Sequence, residues 1–173
     1  MLNGGFETGD LTDWTVNLSS NNPWRVNDTA SALSGRVPSE GSFFAQTGCS
    51  GDPCINGTES QQSWLYQDVA TLAGQQYLLS FDFSATGDPM ELEVLFDGAV
   101  VFDLTGLGSQ SSYTSYSTNV TASGTTSRLA FLGRQDPRYS ALDNIALISD
   151  APEPSAGILG FGGVLALCRF RRR

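Results

Sequence analysis

The chain has 173 residues, 18 acidic against nine basic, for a net charge of −9, and no histidine. All nine basic residues are arginines, and four stand in the last five positions, so residues 1–151 carry 17 acids against five arginines; such a body repels nucleic acid and anionic lipid, and nucleic acid is excluded as a partner. Without histidine or lysine there is no Ser-His or Cys-His nucleophile pair, no His-ligated zinc, no Schiff-base lysine and no P-loop clamp, which leaves cations and neutral sugars as natural partners and carboxylate-pair hydrolysis as the enzymatic chemistry still open.

The first 148 residues read as short strands punctuated by Gly, Asn, Asp and Ser, with no stretch of helical periodicity. Strand fragments are expected near 14–18 and 24–26, inside an otherwise irregular region. Cys49 and Cys54 follow in a turn-rich Cys-Ser-Gly-Asp-Pro-Cys loop, where a local disulfide is the expectation for an exported protein, leaving Cys168 unpaired. Trp64 and Tyr66 share one strand face. Tyr77, Leu79, Phe81 and Phe83 alternate with Leu78, Ser80, Asp82 and Ser84 as in a half-buried strand. Leu92, Val94 and Phe96 alternate with Glu91, Glu93 and Leu95. That strand runs into Asp97-Gly98 and then Ala99-Val-Val-Phe102, a hairpin signal. Segments 113–120, 128–132 and 141–148 complete the series. The spacing predicts an all-β sandwich of about eight to ten antiparallel strands in one domain, 1–148. Phe6, Trp14, Phe81 and Phe83 are expected core.

Three landmarks narrow this further: Asn3-Gly4-Gly5-Phe6-Glu7 leading to Trp14, then Leu65-Tyr66-Gln67-Asp68-Val69 followed by Gly74 to Phe81, and finally Ala141-Leu142-Asp143-Asn144-Ile145. In this order and spacing the chain resembles, over most of 3–148, the galactose-binding-like jelly rolls of carbohydrate-binding modules. The resemblance implies a jelly-roll β-sandwich whose first and last strands pair and bring Glu7 and Asp143 together. There the family commonly holds a structural Ca²⁺, for which Glu7 and Asp143 would give side-chain oxygens, with Asn3 a further contributor. Read without the resemblance, Glu7 caps a turn and Asp143 bonds to neighbouring backbone amides. Trp24, Trp64 and Tyr66 are the candidate sugar contacts, since aromatic faces stack on sugar rings. Tyr113, Tyr116 and Tyr139 are further rings available, with Arg134 and Arg138 as polar partners.

After a linker at 149–151, the last 22 residues read Pro152-Glu153-Pro154, an uncharged stretch 155–168, and then Arg169, Phe170, Arg171, Arg172 and Arg173. An apolar run closed by arginines is the pattern of a segment held in a bilayer with its basic end in the cytoplasm. The layout resembles the PEP-CTERM sorting tail of Gram-negative bacteria. That resemblance implies processing by an exosortase near Pro152-Glu153-Pro154, and a carrier protein linked to exopolysaccharide and biofilm matrix. A helix over 155–168 would span roughly 21 Å, short of a hydrocarbon core of about 30 Å, so the tail reads as a transmembrane address that is cleaved. An exported protein carries a secretory signal, which Met1-Leu2-Asn3 does not begin; the expectation is a true start upstream, or a trimmed sequence. Together these features describe a non-enzymatic protein, inner-membrane-tethered before processing and then at the cell surface or in the extracellular matrix, with exopolysaccharide as candidate ligand. The alternatives are a structural or adhesive matrix protein without a sugar site and a small carboxylate-based glycoside hydrolase.

Overall fold

A computed structural model describes residues 1–17, 23–33, 35–49 and 62–149. The expected C-terminal helix, the sorting motif Pro152, Glu153 and Pro154, the arginines 169 and 171–173, and Cys54 lie outside the described residues. Ten strands are present: β1 (Thr15–Asn17), β2 (Arg25–Asn27), β3 (Phe44–Gly48), β4 (Ser63–Ala70), β5 (Gln76–Ala85), β6 (Met90–Phe96), β7 (Ala99–Thr105), β8 (Thr114–Thr121), β9 (Thr126–Gln135) and β10 (Tyr139–Ser149). They form two five-stranded sheets with antiparallel pairings, β1-β4-β9-β6-β7 and β2-β3-β10-β5-β8. The fold is the expected all-β jelly-roll sandwich. Among the described residues no helix is long and apolar enough to cross a membrane.

Alternation builds both layers. In β6, Met90, Leu92, Val94 and Phe96 are buried while Glu91, Glu93 and Leu95 are less so. In β5, Tyr77, Leu79, Phe81 and Phe83 point inward. Phe81 of the second sheet meets Phe131 of the first edge-on at 5.5 Å, and also packs on Phe102 and Tyr116. Each such ring stabilises the fold by roughly 1.5–3 kcal/mol through burial. The Asp97-Gly98 turn joins β6 to β7 with φ of 51° and 81°, the left-handed pair that a two-residue hairpin turn demands.

One expectation about connectivity is corrected. The first strand does not pair with the last: β1 pairs with β4, and β10 lies inside its sheet between β3 and β5. Residues 1–14 are spent on turns that plug one end of the sandwich. Phe6 and Trp14 are buried there, 5.7 Å apart, and Trp14 stands 6.1 Å from Phe131. This plug reaches β10 through a single backbone hydrogen bond, from the Ile145 amide to the Gly4 carbonyl at 3.0 Å. A Cβ on Gly4 would lie 2.0 Å from the Ile145 carbonyl oxygen, so only glycine allows the approach.

Candidate functional site

Trp64, Tyr66 and Asp68 fall on the outward positions of β4, whose inward partners Leu65, Gln67 and Val69 are buried. Trp64 is 36 % exposed. Tyr66 carries the Arg128 guanidinium 4.2 Å above its ring centre. Arg128 in turn grips Asp68 with two hydrogen bonds, of 2.7 and 2.8 Å. The hydrogen bonds from Arg128 hold the Asp68 carboxyl below the usual aspartate range. The outward face of β4 thus carries an exposed indole two positions from Tyr66, which lies under the fixed Arg128–Asp68 pair; such rings stack on the C–H face of a sugar and such pairs bond to its hydroxyls. Sequence placed Trp64 and Tyr66 on one strand face; Arg128 and Asp68 escaped it because they meet only through the β4–β9 register, which pairs them directly.

Trp24, the third candidate ring, is corrected. It is 2 % exposed, its Nε1 donates to the Ser63 carbonyl at 2.9 Å, and a Cβ on Gly133 would lie 2.6 Å from its ring. Trp24 is packed in the sandwich and has no face to offer a sugar. Of the other rings and arginines, Tyr116 stacks on Phe81 and Arg134 pairs with Asp136 at 2.8 Å.

Glu7 and Asp143 both border Gly5, through the turns of the N-terminal plug and not by strand pairing. A Cβ on Gly5 would lie 3.7 Å from Glu7 Cγ and 4.0 Å from Asp143 Oδ1, so the two side chains flank one glycine. Glu7 accepts the amides of Ser42 and Phe43 at 3.0–3.1 Å. Asp143 accepts the amides of Ser39, Glu40 and Asn144 and the Ser39 hydroxyl. Asp143 has no exposed surface; burial pushes its carboxyl up, and the amides around it only partly offset that. The Asn3 amide nitrogen donates to Thr8 Oγ1 and to the carbonyls of Asp10 and Thr12, so it ties the first turn. Among the described residues no group of three or more His, Cys, Asp or Glu is placed to hold a metal ion. The chemistry of Glu7 and Asp143, two hard-oxygen carboxylates, suits calcium, with the remaining ligands to come from backbone carbonyls or water.

On the opposite side of the sandwich, the segment 35–43 crosses the outer face of the second sheet. Arg36 NH2 donates to the carbonyls of Ala85 and Gln110, and the Ser39 hydroxyl lies against Asp82 on β5 and Asp143 on β10. Two crevices open beside Arg36, of about 590 Å³ toward Thr86, Arg138 and Tyr139 and about 470 Å³ toward Asp82, Tyr113 and Ser115. Sequence gave no signal for Arg36, which sits in a segment without periodicity. Asp82 showed only as one outward position in an alternating strand.

The fold is thus a two-layer jelly roll with one exposed indole, Trp64, on the first sheet and polar crevices on the second. No protein-family model and no curated protein matches the sequence. Solved structures share the fold. A carbohydrate-binding module, TmCBM61, in complex with β-1,4-galactotriose is 14 % identical with a TM-score of 0.58, and the alignment covers 87 % of this chain and 97 % of that one. A Stig cyclase from Fischerella sp. TAU is 16 % identical with a TM-score of 0.59, covering 88 % and 97 %. The enzymatically active domain of tailspike protein 4 from bacteriophage CBA120 is 11 % identical with a TM-score of 0.59 over 86 % of this chain, which spans only 21 % of that one. At these identities the likeness is one of fold.

Proposed function

We propose that this protein is an exported, non-enzymatic bacterial surface or matrix protein whose sandwich binds carbohydrate. The observation that carries the reading is the outward Trp64 on the same sheet face as Tyr66, Asp68 and Arg128. The sugar-bound module of the same fold adds plausibility to the ligand class, and the acidic body favours a neutral exopolysaccharide. In affinity electrophoresis through gels containing diverse neutral polysaccharides, the wild-type chain should be retarded by at least one, and Trp64→Ala should abolish the shift. Uniform mobility across all gels would sink carbohydrate binding and leave the purely structural or adhesive reading.

The hydrolase reading has less support. Asp82 and Asp143 face each other across β5 and β10, but Asp143 is sealed from solvent. Glycoside hydrolysis needs both carboxyl groups at the scissile bond, and only Asp82 lines a crevice. Calcium belongs to this proposal as a structural ion: Glu7 and Asp143 would hold it, tying the N-terminal plug to β10.

Sorting rests on Pro152-Glu153-Pro154, the apolar 155–168 and the arginines 169 and 171–173, with exosortase and the membrane as partners, and on the Cys49–Cys54 disulfide that an oxidising exterior would favour. Co-expression with an exosortase should yield a shortened form of the wild-type chain. A Pro152→Ala, Glu153→Ala variant should keep its full mass. Equal processing of both would remove the motif from the account.

A further inference from the structure

In the crevice of about 470 Å³ beneath segment 35–39, two lining side chains carry buried polar atoms without a hydrogen-bond partner. Arg36, Ser39, Asp82, Tyr113 and Ser115 line it. Arg36 Nε and Tyr113 Oη are both buried and have no partner, whereas nearly all buried polar groups are paired. One end of the Arg36 head, NH2, is held by the Ala85 and Gln110 carbonyls, so its Nε cannot turn far without breaking those bonds. Asp82 already accepts from the Ser115 hydroxyl and the Asn144 side-chain amide and has lone pairs to spare. The Ser39 hydroxyl lies 2.9 Å from Asp82 Oδ2 and 3.0 Å from Asp143 Oδ2, yet it has one proton to give. One of the two carboxylates therefore receives none from it. Asp82 and Asp143 are also directly opposed in the β5–β10 register, a like-charge pairing that costs stability.

The mixture restricts what can bind. A cation meets the Arg36 guanidinium, and an anion meets Asp82 with Asp143 behind it. A neutral ligand bearing hydroxyls meets no opposition, because each hydroxyl both donates and accepts. The volume is within the roughly 300–1,000 Å³ of small-molecule sites and suits one sugar ring more than a long chain. We infer that this crevice is a second ligand site, distinct from the Trp64 face, that takes a single neutral sugar ring or chain end, with ligand hydroxyls donating to Asp82 and accepting from Tyr113 Oη and Arg36 Nε. The inference shares with the proposal above only the class of ligand.

The ¹⁵N-labelled full-length chain is titrated with the methyl glycosides of galactose, glucose and mannose, reading the Arg36 Nε–H signal and the amides of 36–39 and 111–115. At least one glycoside should move these signals in a saturable way. Tyr113→Phe removes a hydroxyl that has no partner in the free protein, so its melting temperature should stay level or rise. Its affinity for that glycoside should fall about three- to tenfold, the worth of one hydrogen bond. Trp64→Ala should leave the titration unchanged, and its loss of gel retardation reports on the other face alone. The proposal is overturned if no glycoside moves the signals, if the shifts are confined to residues around Trp64, or if Tyr113→Phe binds as tightly as the wild type.

Discussion

At Trp24 the indole closes the space between β3 and β9: its nitrogen holds the Ser63 carbonyl, and its ring fills the gap left by the missing side chain of Gly133. Trp24→Ala should therefore cost about 3–5 kcal/mol, the range for emptying a large aromatic site. Gly133→Ala should cost about 1–3 kcal/mol from overpacking, because its Cβ would stand 2.6 Å from the Trp24 ring and 2.9 Å from Thr47 Cγ2. Urea denaturation checks both, and a loss below about 1 kcal/mol for Trp24→Ala would contradict its core placement. Trp64→Ala should change stability by less than about 1 kcal/mol, since its ring stands at the surface. The difference between the two tryptophans was only half legible. Trp64 sits in an alternating strand whose pattern gives its side, whereas Trp24 stands just before β2, a strand of three residues, too short to show a period. The turn-tying role of Asn3 was hidden for a related reason: its carbonyl and amide serve local bonds that sequence does not distinguish from ligation.

The β6–β7 hairpin shows how an element is secured from outside itself. Asp97, at φ 51° in the turn, accepts from the Ser123 amide and hydroxyl, the Ser127 hydroxyl and the Arg128 amide, all at 2.8–3.0 Å. One carboxylate thus pins the hairpin to the β8–β9 loop. Desolvation pushes this carboxyl up, but the donors outweigh it and hold it below the ordinary aspartate range. Asp97→Ala loses these bonds and places alanine in a left-handed conformation, so a cost of about 2–3 kcal/mol is expected. Asp97→Asn keeps a side chain that tolerates that conformation and should cost about half as much. Equal losses by chemical denaturation would mean that the carboxylate clamp, and not the left-handed turn, sets the cost. The hairpin itself was legible because Asp97-Gly98 fixes both dihedral signs. By contrast β3 was not, since Phe44, Ala45, Gln46, Thr47 and Gly48 are all buried and a strand covered on both faces shows no alternation. Gln46 is covered by the Asn27 side chain and the Leu33 amide, and segment 35–43 reaches Asp82 and Asp143; these long-range contacts leave no local pattern, which also hid the crevices beside Arg36.

Over the whole molecule, two sets of carboxylates pull stability in opposite directions with pH. Asp97 is held below the ordinary value of 3.8, so its contribution is present above that pH and is lost as pH falls through the lowered value. Asp143 is raised above 3.8 by burial; its contribution is present below 3.8 and is lost as pH rises through the raised value. The acidic body adds self-repulsion that grows in the same direction as the Asp143 loss. In EDTA, the melting temperature should therefore climb as pH is lowered from neutral toward the mildly acidic range, then fall once Asp97 protonates. A calcium ion bound by Glu7 and Asp143 would favour the ionised carboxylates, cancel the Asp143 loss and lift the neutral end of the profile. At about a hundred times its dissociation constant the ion would add about 2.7 kcal/mol, several degrees for a domain of this size. Scans of the full-length chain across pH, with EDTA or with millimolar calcium, separate the two contributions. Superimposable profiles would remove calcium from Glu7 and Asp143, and a melting temperature in EDTA that falls steadily from neutral pH downward would show that burial of Asp143 does not govern the pH response.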